Sequence, residues 1–269
     1  FELYAEAALP LEWHEPLFRR ARERGVLAFS APFSLEAVDF LESIDCPIYK
    51  IASFECVDIP LIEKTAATGK PIVISTGMAT AAEIDEAVRA VRRHQDRGPV
   101  LLKCTSSYPA PVEDSHLATL EAMRHLWSVP AGLSDHSLSP APAVVATTMG
   151  ARLIEKHLTL DRSDGGPDAA FSLEPGEFAD LTRLVREAHA AVGEVRFGGT
   201  TNAEAHARSR RRSLYVSRDV RAGEALSSDN IRSVRPGQGL PTRHYDEVLG
   251  HHFRRDLPKG TPLAWFDIE

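Results

Sequence analysis

The stretch VPAGLSDHSLSP, residues 129–140, decides the fold. A short apolar run ends there on three consecutive polar side chains, Ser134, Asp135 and His136. A strand that ran only through packed core would have little use for these residues, whereas a strand that opens into a pocket does. The segment therefore predicts a buried strand whose carboxyl end contributes to a functional site.

Similar apolar runs occur from residue 26 to residue 160, and most are followed by a helical pattern. The six runs are VLAFSAPFS (26–34), PIYKIASF (47–54), PIVIST (71–76), VLLKCTSSY (100–108), PAGLSDH (130–136) and RLIEKHLTL (152–160). Alternating strands and helices are typical of βα units and a parallel sheet. Ser34 and the capping box from Thr80 to Glu83 predict two helix starts, and residues 175–193 form the last predicted helix.

Polar residues occur at the carboxyl end of nearly every predicted strand. An open sheet concentrates its site at one switch point, whereas a (β/α)8 barrel brings all strand ends to one mouth. We therefore predict an α/β fold of the TIM-barrel type for residues 1–195. Six strands are two fewer than eight, so this fold implies two βα units before Phe1.

The pattern changes after the last predicted helix. Residues 196–212 are polar and rich in Gly and Arg, which predicts a linker. Residues 213–269 contain very short strand patterns and predict a small β-rich domain. A domain of this size buries little apolar surface, so we expect it to pack against something else.

Composition narrows the class of protein. The 269 residues are 43% hydrophobic with a net charge of −7, which is ordinary for a soluble globular protein. No apolar run approaches the roughly 20 residues of a membrane span, and no stretch has the basic-then-apolar pattern of a signal peptide, so a cytoplasmic protein is the expectation. The arginines of residues 208–212 lack interleaved aromatics, so neither nucleic acid nor membrane is an expected partner. The three cysteines show no C-x-x-C spacing and are expected to be reduced and buried.

His136 and His157 are 21 residues apart, one unit of strand, helix and strand. They are therefore expected at the ends of adjacent strands. Two imidazoles at one mouth can bind a divalent metal ion, completed by water or a carboxylate. Each could instead be an isolated, hydrogen-bonded histidine, and the spacing leaves both alternatives open.

Three lysines, Lys50, Lys103 and Lys156, lie inside apolar strand patterns. A buried lysine is costly unless it meets an anion or forms a Schiff base. Hydroxyl groups at neighbouring strand ends complete a possible receptor for phosphate or carboxylate, although each serine could simply cap a helix. These hydroxyls belong to Ser53, Ser75, Thr76 and Ser134.

A Gly- and Asp-rich loop, DRSDGGPDAAFSLEP (161–175), follows the His157 strand. Loops at this face of βα units carry specificity residues. Asp168 is the carboxylate expected to bind hydroxyl or amide groups of a substrate. The tripeptide 164–166 can equally be an ordinary turn.

Together these segments resemble the sialic acid synthase family, whose members join phosphoenolpyruvate to an N-acetylated hexosamine. The matching segments are YKIASFE, KPIVISTGMAT, LLKCTSSYPAP, GLSDHSLS, IEKHLTLDRSDGGPD and RPGQGLP. The resemblance implies a (β/α)8 barrel followed by an antifreeze-like SAF domain that crosses to the partner in a domain-swapped homodimer.

The resemblance also implies roles for individual residues. His136 and His157 would bind Mn²⁺ or Mg²⁺, with Asp135 orienting its neighbours. Phosphoenolpyruvate would be bound by Lys50, Ser53, Ser75 and Ser134. The sugar pocket would be lined by Glu55, Tyr108 and Asp168, and Arg235 of the partner would reach the acyl group. The catalytic residues would be His136, His157 and Lys50.

Two departures from the family pattern are present. Ala31 stands where the family often has Thr or Ser, so one phosphoenolpyruvate contact is lost or taken over by Ser30. The family's first two strands, with an E-x-G/S-x-N-H-N segment, do not occur in this sequence. A chain without them would be an incomplete barrel lacking synthase activity.

The loop at 161–175 is more similar to the pseudaminic acid branch of the family than to the N-acetylneuraminate branch. This implies 2,4-diacetamido-2,4,6-trideoxy-L-altrose as the acceptor sugar. Alternatives remain an N-acetylneuraminate or legionaminate synthase, a Schiff-base aldolase that uses Lys50 or Lys103, and a non-catalytic scaffold if the barrel is truncated.

Overall fold

The computed structural model describes residues 9–269. Residue contacts divide the chain into two compact units, Phe1–Gly193 and Glu194–Glu269. Each unit has its own cluster of buried apolar side chains. Within residues 9–269, no helix is both long and apolar enough to cross a bilayer.

The first unit contains a curled, fully parallel sheet of five strands in the order β1-β2-β3-β4-β5. The strands are β1 (Tyr49–Ile51), β2 (Ile72–Ser75), β3 (Val100–Cys104), β4 (Ala131–Asp135) and β5 (Ile154–Lys156). Every strand pairs with the next one along the chain. The predicted α/β fold with a parallel sheet is therefore confirmed, and the sheet has the form of a half-barrel.

Helices connect the strands as the repeated βα pattern predicts. They are α1 (Leu11–Glu23), α2 (Leu35–Ser43), α3 (Ile59–Ala67), α4 (Ala81–Arg92), α5 (Thr119–Trp127), α6 (Ala141–Thr148) and α7 (Pro175–Val192). Both predicted helix starts are confirmed. The Ser34 hydroxyl accepts the Ala37 N–H at the start of α2, and Thr80 and Glu83 form the capping box of α4.

The two faces of the sheet have different environments, because successive strand residues point to opposite sides. The outer face packs against the helices and contributes Ile51, Ile74, Leu101 and Leu133 to the main core. The opposite face, here called the inner face, carries the residues between them. The polar residues of the inner face are Lys50, Ser75, Ser134 and Glu155, with His136 and His157 just beyond two strand ends.

One predicted strand differs from the structure. Residues 26–34 contribute only an isolated parallel bridge, between Ser30 and Tyr49. The Lys50 N–H donates to the Ser30 carbonyl, while Val26 and Leu27 are about 60% exposed. In the described part of the chain, this apolar segment therefore forms neither a buried strand nor a continuous ladder of hydrogen bonds.

The second unit is rich in β structure, as expected. It contains α8 (Asn202–Ala207), the antiparallel strands β6 (Ser213–Val216) and β7 (Ile231–Val234), and α9 (Tyr245–Val248). Isolated antiparallel bridges add further pairing, and eleven buried apolar residues, including Leu214 and Phe253, form its core. Helix α8 lies inside the predicted linker 196–212, so that segment is not wholly irregular.

Candidate active site

A polar cluster on the inner face joins three strands. The Ser134 hydroxyl donates to Glu155 Oε1 at 2.6 Å, and Glu155 Oε2 lies 3.6 Å from Lys50 Nζ. Ser134 and Glu155 are register partners on β4 and β5, which explains their contact. Burial lowers the pKa of Lys50, and the nearby Glu155 carboxylate offsets this only in part. The lysine is thus a buried cation whose ion-pair partner is Glu155.

A second group of contacts runs from β1 to the end of β3. The Ser53 hydroxyl donates to Cys104 Sγ at 3.2 Å, and the thiol also lies 3.8 Å from Ser106 Oγ. Burial raises the pKa of Cys104, but hydrogen bonds to His136 and Ser53 outweigh it and bring the pKa to about 7. Gly77 permits this close packing, since a Cβ there would lie 2.5 Å from Ser53 Cβ.

Two buried polar atoms near these clusters have no hydrogen-bond partner among the described residues. They are Ser75 Oγ, at the end of β2, and Glu55 Oε2, in the turn after β1. Burial raises the pKa of Glu55, partly opposed by hydrogen bonding to its own backbone and by the Lys50 charge. Because unpaired buried polar atoms are costly, such atoms beside a strand end are candidates for contacts with a ligand.

The two predicted metal-binding histidines lie next to each other. Their ring centroids are 5.3 Å apart, with His136 buried and the His157 side chain one-third exposed. His136 Nδ1 lies 2.9 Å from the Thr105 carbonyl oxygen. A carbonyl can only accept, so Nδ1 carries a proton, and in the neutral ring Nε2 is the nitrogen with the free lone pair. Asp168 Oδ2 lies 3.5 Å from His157 Nδ1.

These donors fit a divalent ion that takes two protein imidazoles. The Thr105 carbonyl orients the His136 ring in the way that outer partners orient metal-binding histidines, and the Asp168 carboxylate lies beside the His157 ring. Residues 9–269 contain no group of three or more His, Cys, Asp or Glu side chains that could hold a metal ion. Any remaining coordination positions would be filled by water or substrate.

Aromatic side chains line one side of the histidine pair. The Tyr108 ring lies 4.3 Å from the His136 ring, and the Phe171 ring lies 4.9 Å from the His157 ring. Phe171 is buried in the loop after β5, whereas Tyr108 is 45% exposed. The site thus combines an apolar wall with charged and hydroxyl groups, as small-molecule sites usually do.

Nine of the ten predicted site residues lie at or just beyond the carboxyl ends of the sheet strands. They are Lys50, Ser53, Glu55, Ser75, Tyr108, Ser134, His136, His157 and Asp168. The tenth, Arg235, is exposed in the second unit, immediately after β7. Ala31 is partly buried beside Ser30, whose backbone meets β1.

The sequence predicted that three lysines contribute to one anion receptor, and the prediction is wrong for two of them. Lys103 and Lys156 lie in register with outer-face residues, since Leu101 of β3 and Ile154 of β5 pack against the main core. Lys103 Nζ donates to the Cys104 carbonyl, and Lys156 forms an ion pair with Asp135. Lys50 alone of the three lies on the inner face.

Sequence reasoning missed three residues of the site: Cys104, Glu155 and Phe171. Glu155 precedes His157 by two residues, so the period of a strand could have placed it on the same face. Cys104 is free and buried, as predicted for all three cysteines, but its contacts with Ser53 and His136 are made with residues that follow other strands of the sheet, β1 and β4. Nothing in the local sequence indicated that Phe171 lies against the histidines.

A cavity of about 550 Å³ lies away from this site, between α6, β5 and α7. Its lining includes Ile154, Phe178, Val185 and Arg186 but neither of the paired histidines. The titratable and hydroxyl side chains of the candidate site therefore lie at the strand ends and not in this mainly apolar cavity.

Comparison with known proteins assigns the chain. Residues 1–197 match the NeuB family, and residues 211–269 match the SAF domain. The whole chain is 42% identical to the pseudaminic acid synthase of Helicobacter pylori and 39% identical to that of Campylobacter jejuni, covering 79% and 78% of those proteins. The crystal structure of the spore coat polysaccharide biosynthesis protein SpsE from Bacillus subtilis is similar, with a TM-score of 0.66 and 31% identity over 97% of this chain and 78% of that one.

These findings agree with the parallel half-barrel, the β-rich second unit and the resemblance seen in the sequence motifs. Both relatives are synthases and both match the entire chain, so the chain is an enzyme. It belongs to the NeuB family and carries a SAF domain at its carboxyl end.

Proposed function

We propose that the protein condenses phosphoenolpyruvate with 2,4-diacetamido-2,4,6-trideoxy-L-altrose to give pseudaminic acid and phosphate. The observation that carries the proposal is the His136–His157 pair beside the Lys50, Ser134 and Glu155 cluster. Two relatives named pseudaminic acid synthase support the choice of acceptor. The other branches of the family, which use N-acetylmannosamine or a legionaminate precursor, are the alternatives.

His136 and His157 would hold a Mn²⁺ or Mg²⁺ ion through imidazole nitrogens. Such an ion supplies Lewis-acid polarisation of a bound carbonyl. The protein's own contribution is to fix the two rings: the Thr105 carbonyl holds His136 in one tautomer, and Asp168 lies beside His157. A fixed pair of imidazoles needs little rearrangement when the ion and the sugar aldehyde bind.

Phosphoenolpyruvate would bind along the inner face between β1 and β4. Lys50 supplies a positive charge in a buried place, where an anionic partner is strongly favoured. Ser75 supplies a free hydroxyl donor, since its unpaired Oγ gains a partner when the substrate arrives. The Ser53 and Ser134 hydroxyls donate to Cys104 and Glu155 in the free protein and would turn from them to the substrate.

The acceptor sugar would lie between the histidines and the loops after β3 and β5. Glu55 and Asp168 offer carboxylates to its hydroxyl and amide groups. The rings of Tyr108 and Phe171 offer an apolar surface that suits a methyl carbon of a 6-deoxy sugar. We propose that Arg235 serves the acyl group in a homodimer, as the resemblance implies.

The proposed reaction forms one carbon–carbon bond and breaks one carbon–oxygen bond. C3 of phosphoenolpyruvate attacks the aldehyde carbon of the open-chain sugar, and the aldehyde oxygen takes up a proton to become a hydroxyl. Water then adds at C2 and forms a new carbon–oxygen bond, and one of its protons balances the proton taken up by the aldehyde oxygen. The bond from C2 to the bridging oxygen breaks, and phosphate leaves with the second proton to give the 2-keto acid. Lys50 and the hydroxyls hold the anions in line throughout.

Phosphate release from phosphoenolpyruvate tests the proposal. The protein from the complete gene is incubated with Mn²⁺ and the diacetamido trideoxy sugar, and His136→Ala is compared with His125→Ala, which changes an exposed histidine on α5. We expect release from the wild type and from His125→Ala, and loss of release in His136→Ala. Equal release from both variants would show that His136 takes no part.

A Schiff-base aldolase is a second candidate, and one observation favours it: burial lowers the pKa of Lys50, which increases the fraction of free amine. Borohydride reduction in the presence of a keto acid separates the two functions. An aldolase gains the mass of the reduced adduct on Lys50, whereas a metal-dependent synthase gains none.

A further inference from the structure

An ion pair on the outer face of the sheet lies directly behind the two histidines. Lys156 Nζ lies 2.6 Å from Asp135 Oδ2, and the two side chains are only 1% and 3% exposed. The ammonium also donates to the Ser137 carbonyl, and Asp135 Oδ1 accepts the Ser137 N–H at 2.9 Å. Both charges are therefore fully partnered and almost completely shielded from solvent.

The pair is adjacent in sequence to both imidazoles. Asp135 precedes His136, and Lys156 precedes His157. Because side chains alternate along a strand, the ion pair points to the helices while the imidazoles point to the inner face. Any shift of Asp135 or Lys156 is thus transmitted through one peptide unit to an imidazole.

Backbone pairing between β4 and β5 ends at this point. The last register pair of the two strands is Asp135 with Lys156. Beyond it, His136 is anchored to other segments, through Thr105 and through the Ala110 N–H, while the His157 carbonyl accepts the Leu173 N–H. The ion pair is therefore the connection between the two strands that lies nearest the histidines.

We propose that Asp135 and Lys156 are positioning residues that set the separation of His136 and His157 and thereby the affinity of the site for a divalent cation. This inference rests on the metal site of the proposed function. A buried pair with extra hydrogen bonds to Ser137 holds one geometry, because any displacement leaves a charge unpartnered. Outer partners of metal ligands typically change affinity by about 10- to 100-fold.

The test is the dissociation constant for Mn²⁺, measured by electron paramagnetic resonance of the free ion with the protein from the complete gene. The variant Asp135→Asn/Lys156→Met removes both charges and leaves none buried alone. The matched control is Glu42→Gln/Lys70→Met, which removes an ion pair at the amino end of β2. We expect the first variant to bind Mn²⁺ at least tenfold more weakly and the control to bind it as the wild type does.

A further variant tests position with both charges kept. Asp135→Glu lengthens the carboxylate by one methylene, so we expect it also to weaken Mn²⁺ binding, measured at a temperature at which circular dichroism shows the variant to be folded. Wild-type affinity in either folded variant would overturn the inference. Wild-type protein that does not bind Mn²⁺, or binds it equally after His136→Ala, would instead overturn the metal site of the proposed function.

Discussion

Lys50 is held in a position that disfavours its charge. Burial lowers its pKa and Glu155 opposes this only partly, so the ammonium costs stability in the folded chain. We expect Lys50→Met to unfold at the same or a higher temperature at pH 7 while losing phosphoenolpyruvate binding. Thermal unfolding and a binding isotherm measure the two effects, and a lower unfolding temperature with normal binding would contradict this account.

The same lysine predicts a pH dependence. Its pKa in the folded state lies below the unfolded value, so between the two values the unfolded chain binds more protons and stability rises with pH. The window ends near pH 10.4, the pKa of a lysine in an unfolded chain. As the pH rises towards that value, the wild type should lose the free-energy cost of burying the Lys50 ammonium, a cost that Lys50→Met does not have. The stability difference between the two proteins should therefore shrink. A constant difference from pH 7 to pH 10.5 would show that Lys50 is not desolvated.

A variant at Asp168 distinguishes two roles of its carboxylate, which are binding the acceptor sugar and orienting His157. If the carboxylate binds a hydroxyl or amide of the acceptor, Asp168→Asn should raise the KM for the sugar about tenfold and leave the KM for phosphoenolpyruvate unchanged. A tenfold change corresponds to the loss of roughly 1.5 kcal/mol from a charged hydrogen bond. Steady-state kinetics with each substrate varied in turn measures this. Weaker Mn²⁺ binding with an unchanged sugar KM would make it an orienting partner of His157 instead.

For individual residues, the sequence predicted which ones lie at strand ends. It did not predict which side chains of a strand point to the site and which point to the helices. His136, His157 and Ser134 were predicted because polar groups at strand ends are unusual. Lys156 was misplaced, since its apolar surroundings indicate burial but do not say whether the helices or the site surround it. The period of two, counted back from His157, assigns Glu155 and Lys156 to opposite faces.

Strand β4 lies between β3 and β5 and depends on Gly132 for close approach. A Cβ at this position would lie 2.3 Å from the Leu153 carbonyl oxygen and 2.7 Å from Leu102 Cδ2. We expect Gly132→Ala to destabilise the first unit by about 2 kcal/mol or more, because the neighbouring backbone cannot move without breaking the ladder. Gly176→Ala is the control, since nothing lies within 4 Å of a Cβ there. Chemical denaturation measures both, and equal stabilities would contradict the packing.

Elements with strong local signals were predicted well. The starts of α2 and α4 follow from capping side chains, which act within four residues and need no tertiary contact. The segment 26–34 has the composition of a strand yet forms one bridge in the structure. Pairing depends on a neighbour elsewhere in the chain, so composition alone could not decide it.

The second unit has its own core of buried apolar residues. This core favours independent folding over the expectation, drawn from the small size of the domain, that it needs another surface to pack against. Phe253 is fully buried among the eleven apolar residues of this core. We expect residues 194–269 to unfold cooperatively when produced alone, and Phe253→Ala to cost about 3–5 kcal/mol in that transition. Circular dichroism on heating measures both. A gradual, non-cooperative loss of signal would show that this unit needs another surface.

At the scale of the whole molecule, the change in pattern near residue 195 predicted two parts, because composition and strand length differ on its two sides. The role of Arg235 and the homodimer stay predictions, since they depend on contacts between chains. A cytoplasmic location likewise stays a prediction.

The most direct test of the central claim is the mass of the product formed from phosphoenolpyruvate, Mn²⁺ and a choice of sugars. The protein from the complete gene is offered the diacetamido trideoxy sugar and N-acetylmannosamine together, and products are identified by mass spectrometry alongside released phosphate. We expect a nine-carbon 2-keto acid from the first sugar and none from the second. Product from N-acetylmannosamine alone would assign the other branch, and no product from either would contradict the synthase itself.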